Sequence, residues 1–305
     1  MAPYLPTSAD RAPLPPPYGS EARYLGYRES DLQRPFARFF TPTTAPIQEH
    51  VRDALIEGKV PAELGYGFRD AARQLERSGY GPLETGWTRT ADGTLMIACL
   101  TDMPGVTAGM WDWWFGWHST DSARYKLWNP EAHQFTAIGE DRSADRSLTD
   151  RQRYVGNVSY VDEYIGGALM RLAIRFVDPA SLGFDDRPET TVVCARTGFS
   201  ALPVATGWLV HQVRPTATGA EMRSRFFIGD VTIMDLPAHA LPAGRAAGAL
   251  RSAPVRAAAN RILPSCAPRF VPRALGHDLL FHCAAEMNHL ARFLPELHAA
   301  FRDLP

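Results

Sequence analysis

The sequence has few of the features that mark secreted, membrane-spanning or nucleic-acid-binding proteins. Its four cysteines are widely spaced with no Cys-x-x-Cys pair, which argues against a disulfide framework and indicates buried thiols. It has no apolar run of about 18 residues that could cross a membrane, and its start has no apolar export segment. Its 32 basic and 33 acidic residues leave no net field to attract nucleic acid or an anionic membrane. We therefore expect a cytoplasmic protein with a small or neutral partner, and no nucleic-acid or membrane partner.

The length and composition fit either one large domain with an appendage or two modest domains. At 305 residues the chain can bury a sizeable core, and 45% hydrophobic with 21% charged residues is ordinary for a globular protein. Residues 1–20 contain six prolines and are expected to form an extended or disordered tail. The predicted fold therefore begins after this tail.

Helical patterns follow in residues 21–80. Apolar residues at four-residue spacing come after Pro46 and predict an amphipathic helix that ends at Gly58. A second helix is expected from Pro61 to Glu76. Several glycines follow and mark the change from helical patterns to strand patterns.

From Gly93 onward the sequence is rich in β-forming segments bounded by glycine, proline or aspartate. Five or six strands are expected, in residues 94–100, 154–165, 167–178, 189–197, 206–213 and 221–234. The stretch from Pro215 to Gly219 predicts a hairpin turn, and the period of two places Leu209, His211 and Val213 on one face. An antiparallel sheet is the simplest arrangement of these strands.

The last part of the chain is predicted to be helical. A long helix is expected from Leu275 to Phe301, and its apolar residues, Cys283 and Met287 among them, could pack on the sheet. An alanine- and arginine-rich segment from Ala243 to Arg261 predicts a solvated surface helix, with a lid over a binding site as the alternative. The fold class is therefore α+β, not a doubly wound sheet.

One pair of polar residues stands out in the C-terminal helix. His282 and Glu286 are four residues apart, so an imidazole nitrogen and a carboxylate oxygen share one helix face. A divalent metal would accept such a pair as half of a tetrahedral site. Taken alone, the pair also fits an ordinary solvated helix face, since exposed polar pairs at this spacing are common.

An aromatic tract covers residues 109–133 and contains five tryptophans. Polar groups alternate with the rings, including His118, Tyr125 and His133. Such a density of rings serves either core packing or an aromatic ligand, because tryptophan offers a wide flat surface and one hydrogen-bond donor. A binding pocket mixes these ingredients in the same way.

Two adjacent carboxylates, Asp162 and Glu163, interrupt a strand pattern. Adjacent strand residues point to opposite faces, so one of them is expected to face inward. A buried carboxylate is costly unless it is paired or binds a metal. An inward Glu163 could meet His282 and Glu286, and the alternative is a salt bridge to Arg153 or Lys126.

Five motifs in this order resemble the 2,4-diacetylphloroglucinol hydrolase family, which includes phloretin hydrolase. They are MPGVTxxMWDWWFGWH at 103–118, RYKLW at 124–128 with a histidine at 133, YVDEYIGG at 160–167, RSRFFIG at 223–229 and HxxxE at 282–286. The resemblance implies a small helical N-terminal region over residues 21–80. For residues 81–305 it implies a metal-binding catalytic domain of the Bet v 1-like helix-grip type, in which an antiparallel sheet wraps around a long C-terminal helix.

The resemblance also implies a site. It places Zn²⁺ on two histidines and two glutamates, which correspond here to His133, Glu163, His282 and Glu286. The family's phenol-binding tyrosine corresponds to Tyr125, and a histidine of the hairpin corresponds to His211, our candidate for proton transfer.

The sequence departs from the family at two positions. The family's asparagine and its second substrate-binding tyrosine fall at Thr136 and Phe226, which lose an amide and a hydroxyl. A site that loses polar anchors is expected to hold a less hydroxylated ligand. Trp114 and His118 are further candidates for substrate contacts, and His118 is the alternative to His211 in proton transfer.

The resemblance implies a zinc-dependent hydrolase that cleaves a carbon–carbon bond between an acyl carbonyl and a phenolic ring or a similar stabilised carbanion. Its substrate is then a small aromatic or polyketide-like ketone, and a homodimer is consistent with the family. A non-hydrolytic isomerase, cyclase or decarboxylase would use the same cavity and metal. A carrier of hydrophobic ligands would use the cavity but has no need of four metal ligands.

Overall fold

A long antiparallel sheet forms the centre of the computed structural model, which describes residues 18–200, 202, 204–234, 245–250, 252–266 and 271–304. Within these residues the sheet has eight strands. They are β1 (Gly86–Arg89), β2 (Leu95–Pro104), β3 (His133–Ile138), β4 (Val158–Ile165), β5 (Ala168–Val177), β6 (Thr191–Phe199), β7 (Val204–Thr216) and β8 (Gly219–Ile233). Their order is β1-β2-β8-β7-β6-β5-β4-β3, so β2 joins β8 and the rest follow as a meander.

All six predicted strand segments contain a strand, and two strands were missed. β1 is only four residues long, and β3 follows the aromatic tract without a clear apolar alternation. The predicted hairpin is confirmed, because β7 and β8 pair from Val204↔Ile233 to Thr216↔Gly219. Gly219 fits a crowded turn there, since a Cβ atom would lie 2.4 Å from the backbone nitrogen of Gly105.

Ten α-helices accompany the sheet in the described residues. They are α1 (Glu29–Leu32), α2 (Glu49–Glu57), α3 (Ala71–Leu75), α4 (Ala108–Trp117), α5 (Ser122–Trp128), α6 (Asp150–Tyr154), α7 (Arg245–Leu250), α8 (Ala253–Cys266), α9 (Leu275–Ala291) and α10 (Leu294–Phe301). The helix predicted after Pro46 is α2, which ends as expected at Gly58 with a φ of 85°.

The single helix predicted from Pro61 to Glu76 is wrong. The segment forms two 3₁₀ turns, Ala62–Leu64 and Phe68–Asp70, before the short helix α3. Gly65 separates the turns and packs closely against β1, because a Cβ atom there would lie 2.5 Å from Cγ2 of Thr88. This close approach favours a glycine, a poor helix former, at the point where a helix would have continued.

The predicted C-terminal helix is also divided. It consists of α9 and α10, with a break at Arg292 and Phe293. Pro295 explains the break, because proline has no N–H to donate and its ring would clash with the carbonyl of Ala291 in a continuous helix. At the start of α10 the proline is tolerated, since the first turn needs no such bond.

The helix-grip arrangement is confirmed. α9 lies on the concave face of the sheet against β1, β2 and β4. The predicted contact residues are buried in this core: Leu279, Leu280, Cys283 and Met287. Cys99, Cys194 and Cys283 are free buried thiols, as expected, and the side chain of the fourth cysteine, Cys266, lies outside the described part of the structure.

The convex face of the sheet is covered by the N-terminal segment. Phe68 stacks on Trp208 of β7, with ring centroids 4.2 Å apart. Glu84 lies beneath the same cover and binds two arginines of β8, with Oε1 2.6 Å from Nη2 of Arg223 and Oε2 2.5 Å from Nη2 of Arg225. Because side chains alternate along β8, the residues between and beside these arginines face the concave side.

The alanine- and arginine-rich segment is helical, as predicted, over the parts that the structure describes. α8 is tied to the sheet by Asn260, which donates to the carbonyl of Ile233 at 2.9 Å and accepts from its N–H at 2.8 Å. Residues 1–17 of the predicted proline-rich tail lie outside the described residues. None of the helices in the described ranges is both long and apolar enough to cross a membrane.

We predict that Glu84→Gln destabilises the fold by about 3 to 5 kcal/mol at pH 7, because the two buried arginines lose their counter-charge. Burial alone would raise the pKa of Glu84, but hydrogen bonds from Arg223 and the charge of Arg225 lower it to about 2. The stabilisation is therefore fully present above the unfolded-state pKa of about 4.3 and fades as the pH falls towards 2.

Chemical unfolding of the wild type and of Glu84→Gln at pH 7 and pH 3 measures the difference between their free energies of unfolding. This difference should be smaller at pH 3. The exposed Glu63→Gln is the control and should change stability by less than about 0.5 kcal/mol. Equal stability of the wild type and Glu84→Gln at pH 7 would contradict the assignment.

Candidate metal centre and active site

Four polar side chains converge at one place on the concave face. His133 begins β3 and lies opposite Glu163 of β4, with a bulge between His133 and Phe135. His282 and Glu286 approach from α9. All four are buried, with exposed fractions of 0% for His133, 7% for Glu163, 5% for His282 and 7% for Glu286.

The two adjacent carboxylates of β4 face opposite sides, as alternation requires. Glu163 faces inward, whereas Oδ2 of Asp162 pairs with Nε of Arg23 at 3.1 Å. The alternative partners of Glu163 lie elsewhere. Arg153 pairs with Asp150 at 2.8 Å, and Nζ of Lys126 lies 3.1 Å from the ring centroid of Tyr24.

The ligating atoms lie within the reach of one ion. One ligand atom each of His133, Glu163 and His282 can be chosen so that all three lie within 4.8 Å of one another. Glu286 adds Oε2, which is 3.4 Å from Nε2 of His133 and 3.7 Å from Nε2 of His282. Glu163 lies 3.8 Å from each of the same two nitrogens. This buried group could bind a metal ion.

The hydrogen bonds of His133 prepare it as a ligand. Its Nδ1 lies 3.0 Å from the carbonyl oxygen of Tyr125, which can only accept, so Nδ1 carries the proton. The other nitrogen, Nε2, is then a lone-pair donor, and it is buried without a hydrogen-bond partner. Burial lowers the pKa of His133 well below its ordinary value, and the neighbouring His282 adds to this shift. A neutral imidazole fixed in this tautomer is the form that metal ions bind.

The carboxylates also favour a cation. Burial raises the pKa of Glu286 well above its ordinary value, and the charge of Glu163 raises it further. Two carboxylates that share a buried site repel each other unless a proton or a metal ion lies between them. Two nitrogen and two oxygen donors form a set that zinc accepts in proteins.

Tyr125 lies directly beside the cluster. It belongs to α5, whose first turn is capped by Asp121, with Oδ1 accepting from the N–H of Ala123 at 2.8 Å. Its ring stacks on His133 with centroids 3.8 Å apart, and its hydroxyl donates to Oε2 of Glu163. Burial and the charge of Glu163 raise its pKa well above the ordinary value, so the hydroxyl keeps its proton.

A cavity of about 570 Å³ opens beside the cluster and is bounded by the sheet and by α9. Tyr125, Glu163, His282 and Glu286 line it, together with aromatic residues that include Phe115 and Trp128. This volume lies within the range of about 300–1,000 Å³ that small-molecule pockets occupy. The aromatic tract therefore contributes both core packing and the wall of the cavity.

Both histidines considered for proton transfer line the cavity and are neutral at pH 7. Burial lowers the pKa of His118 to about 4 and that of His211 to about 3. Nδ1 of His118 donates to the carbonyl of Trp114 at 2.7 Å. Nδ1 of His211 lies 2.8 Å from Oγ of Ser224. The near-neutral pKa of an ordinary histidine therefore does not apply to either side chain in this environment.

The three remaining candidates for substrate contact differ in position. Phe226 lines the cavity and meets the ring of His211 edge-on, with centroids 5.6 Å apart. Trp114 and Thr136 are not among the described residues that line it. Trp114 stacks behind His118 at 4.9 Å, and Oγ1 of Thr136 lies 3.4 Å from Oγ of Ser159, which does line the cavity.

A segment that precedes α2 links the turn ahead of β3 to α9, and both β3 and α9 carry residues of the cluster. Oγ1 of Thr44 donates to Asn129 at 2.9 Å, and the carbonyl of Asn129 accepts from the N–H of His133 at 2.9 Å. The next residue, Ala45, donates its N–H to Nδ1 of His289 in α9 at 3.0 Å. Sequence reasoning missed these supporting residues. The sequence signal was His289 itself, but it is one of several polar residues of α9, and a polar residue there also fits a solvated position.

Comparison with known proteins finds sequence similarity over most of the chain. Residues 64–299 match the model of the DAPG hydrolase PhiG domain. The chain is 30% identical to the 2,4-diacetylphloroglucinol hydrolase of Pseudomonas protegens, over 91% of this chain and 88% of that protein. It is 29% identical to the phloretin hydrolase of Eubacterium ramulus, over 92% of this chain and 94% of that protein.

Among solved structures, the chain is similar to a norcoclaurine synthase from Thalictrum flavum. The identity is 14%, the TM-score is 0.28, and the match covers 44% of this chain and 77% of the other. A likeness of this size does not bear on the chemistry of the site.

We predict that the purified protein holds about one divalent metal ion per chain and that His133→Ala and His282→Ala each lose most of it, because each removes one nitrogen donor. Inductively coupled plasma mass spectrometry measures the content. His277→Ala is the matched control, since His277 lies on the same helix with a half-exposed side chain. Equal metal content in all four proteins, or none in the wild type, would show that the cluster is not a metal site.

Proposed function

Because this chain belongs to the family of the 2,4-diacetylphloroglucinol hydrolase domain, we propose that it is a zinc-dependent enzyme that hydrolyses the bond between an acyl carbonyl and a phenolic ring carbon. It is a hydrolase that acts on carbon–carbon bonds, as its relatives are. The observation that carries the finer proposal is the cluster of His133, Glu163, His282 and Glu286, of which the last three line a cavity of mainly apolar and aromatic side chains.

Zinc suits the donors of the cluster. Two neutral imidazoles and two carboxylates would bring a Zn²⁺ centre to zero net charge, which favours its burial. A bound zinc ion would supply a Lewis acid that polarises the acyl carbonyl or a water molecule. The buried, unpartnered Nε2 of His133 supports this assignment, because such an atom is costly unless it binds something.

The reaction adds one water molecule across the carbon–carbon bond. The hydroxyl joins the acyl carbon, which leaves as a carboxylic acid, and a proton joins the ring carbon. The ring leaves with the bonding electron pair, so its phenol oxygens must hold the developing negative charge. A substrate without such an oxygen beside the broken bond is therefore not expected to react.

Tyr125 is suited to hold a phenol oxygen of the ring. Its hydroxyl lies at the cavity wall and contacts Glu163, so a ring oxygen bound there would lie beside the cluster. The stacking of Tyr125 on His133 fixes the position of its ring. The proton of the hydroxyl now points to Oε2 of Glu163, so the O–H would turn from that carboxylate to a bound ring oxygen while the aromatic ring of Tyr125 stays in place.

His211 is proposed to pass the proton in its neutral form. Its contact with Ser224 fixes one ring nitrogen, and its edge-on contact with Phe226 leaves it at the cavity wall. A neutral imidazole donates with one nitrogen and accepts with the other, so it can relay a proton without a lasting charge. His118, with Nδ1 bonded to Trp114, would then complete the aromatic wall around the ring.

We predict that incubation with acylated phloroglucinols releases a carboxylic acid and the deacylated phenol, whose masses add up to the substrate plus one water. Tyr125→Phe should lower kcat by about 100-fold, because one hydrogen bond to the developing charge is lost. Its zinc content should remain that of the wild type, since Tyr125 is not one of the four ligands. Tyr164→Phe is the control, because Tyr164 follows Glu163 but faces away from the cavity.

Mass spectrometry of the products distinguishes the competing reactions. A product of unchanged mass would indicate an isomerase or cyclase, and loss of carbon dioxide would indicate a decarboxylase. Either result would contradict the proposal, as would unchanged kcat in Tyr125→Phe.

A further inference from the structure

The cavity wall continues along the sheet beyond the metal cluster. Tyr125 and Trp128 lie beside the cluster, with their rings against that of His133. A further part of the wall, which we term the apolar lobe, is formed by Met170, Leu172, Ile174, Ile228, Leu263 and Leu275. These residues come from β5, β8, α8 and α9, so the lobe lies between the sheet and the helices.

The apolar lobe begins at the metal cluster. Met170 of β5 lies directly opposite Glu163 of β4 in the strand register, and both side chains line the cavity. Directly opposite residues have Cβ atoms about 5 Å apart. From Met170 the lobe follows β5 through Leu172 to Ile174, a distance of about 13 Å for four strand residues. A group attached to the reacting carbonyl would therefore enter the lobe directly.

The side chains of the apolar lobe are only partly buried. All six are intermediate in exposure, although side chains on the inward face of a sheet are normally buried. Continuous apolar surface that is left open inside a cavity indicates a ligand that covers it. Burial of that surface would be favourable by the hydrophobic effect.

The charges of the wall limit the chemistry of that ligand. Among the described residues that line the cavity there is no lysine or arginine, and the charged ones are Glu163, Asp278 and Glu286. An anionic group such as a carboxylate or phosphate would find no counter-charge there and would be repelled. The part of the ligand that occupies the lobe is therefore uncharged.

We propose that the acyl group of the substrate is a neutral hydrocarbon chain of roughly ten carbons that lies in the apolar lobe. In an extended chain a carbon–carbon bond of about 1.5 Å advances the chain by about 1.3 Å, so about ten carbons span the roughly 13 Å of the lobe. The substrate class is a long-chain acylphenol, with the ring beside Tyr125 and the chain along β5. This inference rests on the proposed hydrolase function. Cleavage of the bond between the acyl carbonyl and the ring at the cluster requires the ring to lie beside Tyr125, which leaves the acyl chain to face the lobe.

The first test is a series of acylphloroglucinols with straight chains of 2, 6, 10 and 14 carbons. We expect kcat/KM to rise by up to about fourfold per methylene towards roughly ten carbons and then to level off or fall, as each buried methylene strengthens binding until the lobe is full. Hydrolysis of the whole series at equal kcat/KM would overturn the chain-length inference and leave the proposed function intact.

A bulky residue in the lobe tests the location. Leu172→Trp and Ile174→Phe should each lower the ratio of kcat/KM for the ten-carbon substrate to that for the two-carbon substrate by at least about tenfold, because the added ring fills space that the chain needs. Leu169→Trp is the matched control on the same strand, since Leu169 is 38% exposed and lies outside the cavity wall. An unchanged ratio in both lobe variants would place the chain elsewhere.

Binding of 4-alkylresorcinols, which have no acyl bond to cleave, separates the two proposals. We expect affinity by calorimetry to rise with chain length and to fall for the ten-carbon compound in Leu172→Trp. If affinity rises in this way but no acylphloroglucinol is hydrolysed, the proposed function fails and the apolar lobe stands. If affinity does not depend on chain length, the inference about the lobe fails.

Discussion

The structure depends on the burial of two carboxylates and two imidazoles at one point. Glu163 and Glu286 approach the same nitrogens, Nε2 of His133 and Nε2 of His282, at 3.4 to 3.8 Å. Without a cation, two buried carboxylates repel each other and a buried nitrogen lacks a partner, so the arrangement would cost free energy. A divalent ion bound between them would remove both penalties at once. The surrounding fold is organised so that these four side chains meet.

Three parts of the fold bring them together. Strand pairing places His133 opposite Glu163, and the wrapping of the sheet places α9 over both. The segment before α2 then bonds both to the turn ahead of His133 and to α9. The same wrapping leaves a cavity between sheet and helix, with the rings of α5 near the cluster and mainly aliphatic side chains along β5. The position of the four buried side chains and the shape of the cavity beside them therefore have one structural cause.

Local periodicity predicted part of this arrangement. The spacing of His282 and Glu286 required a shared helix face, and strand alternation required that Asp162 and Glu163 diverge. Resemblance to a family, not periodicity, supplied His133, because β3 has no clear alternation and depends on pairing with β4. The division of the last helix follows from Pro295, a local signal that was overlooked. The low pKa values of His118 and His211 arise from burial among residues distant in sequence, which no local pattern shows.

X-ray absorption spectroscopy at the zinc edge of the purified protein tests the central claim most directly, because it reports the atoms bound to the metal. The account predicts nitrogen and oxygen donors at about 2.0–2.2 Å, with two imidazole rings and no sulfur. A sulfur shell at about 2.3 Å would contradict it, since the metal would then be bound by a thiolate such as Cys283, the neighbour of His282, and not by the four residues identified here.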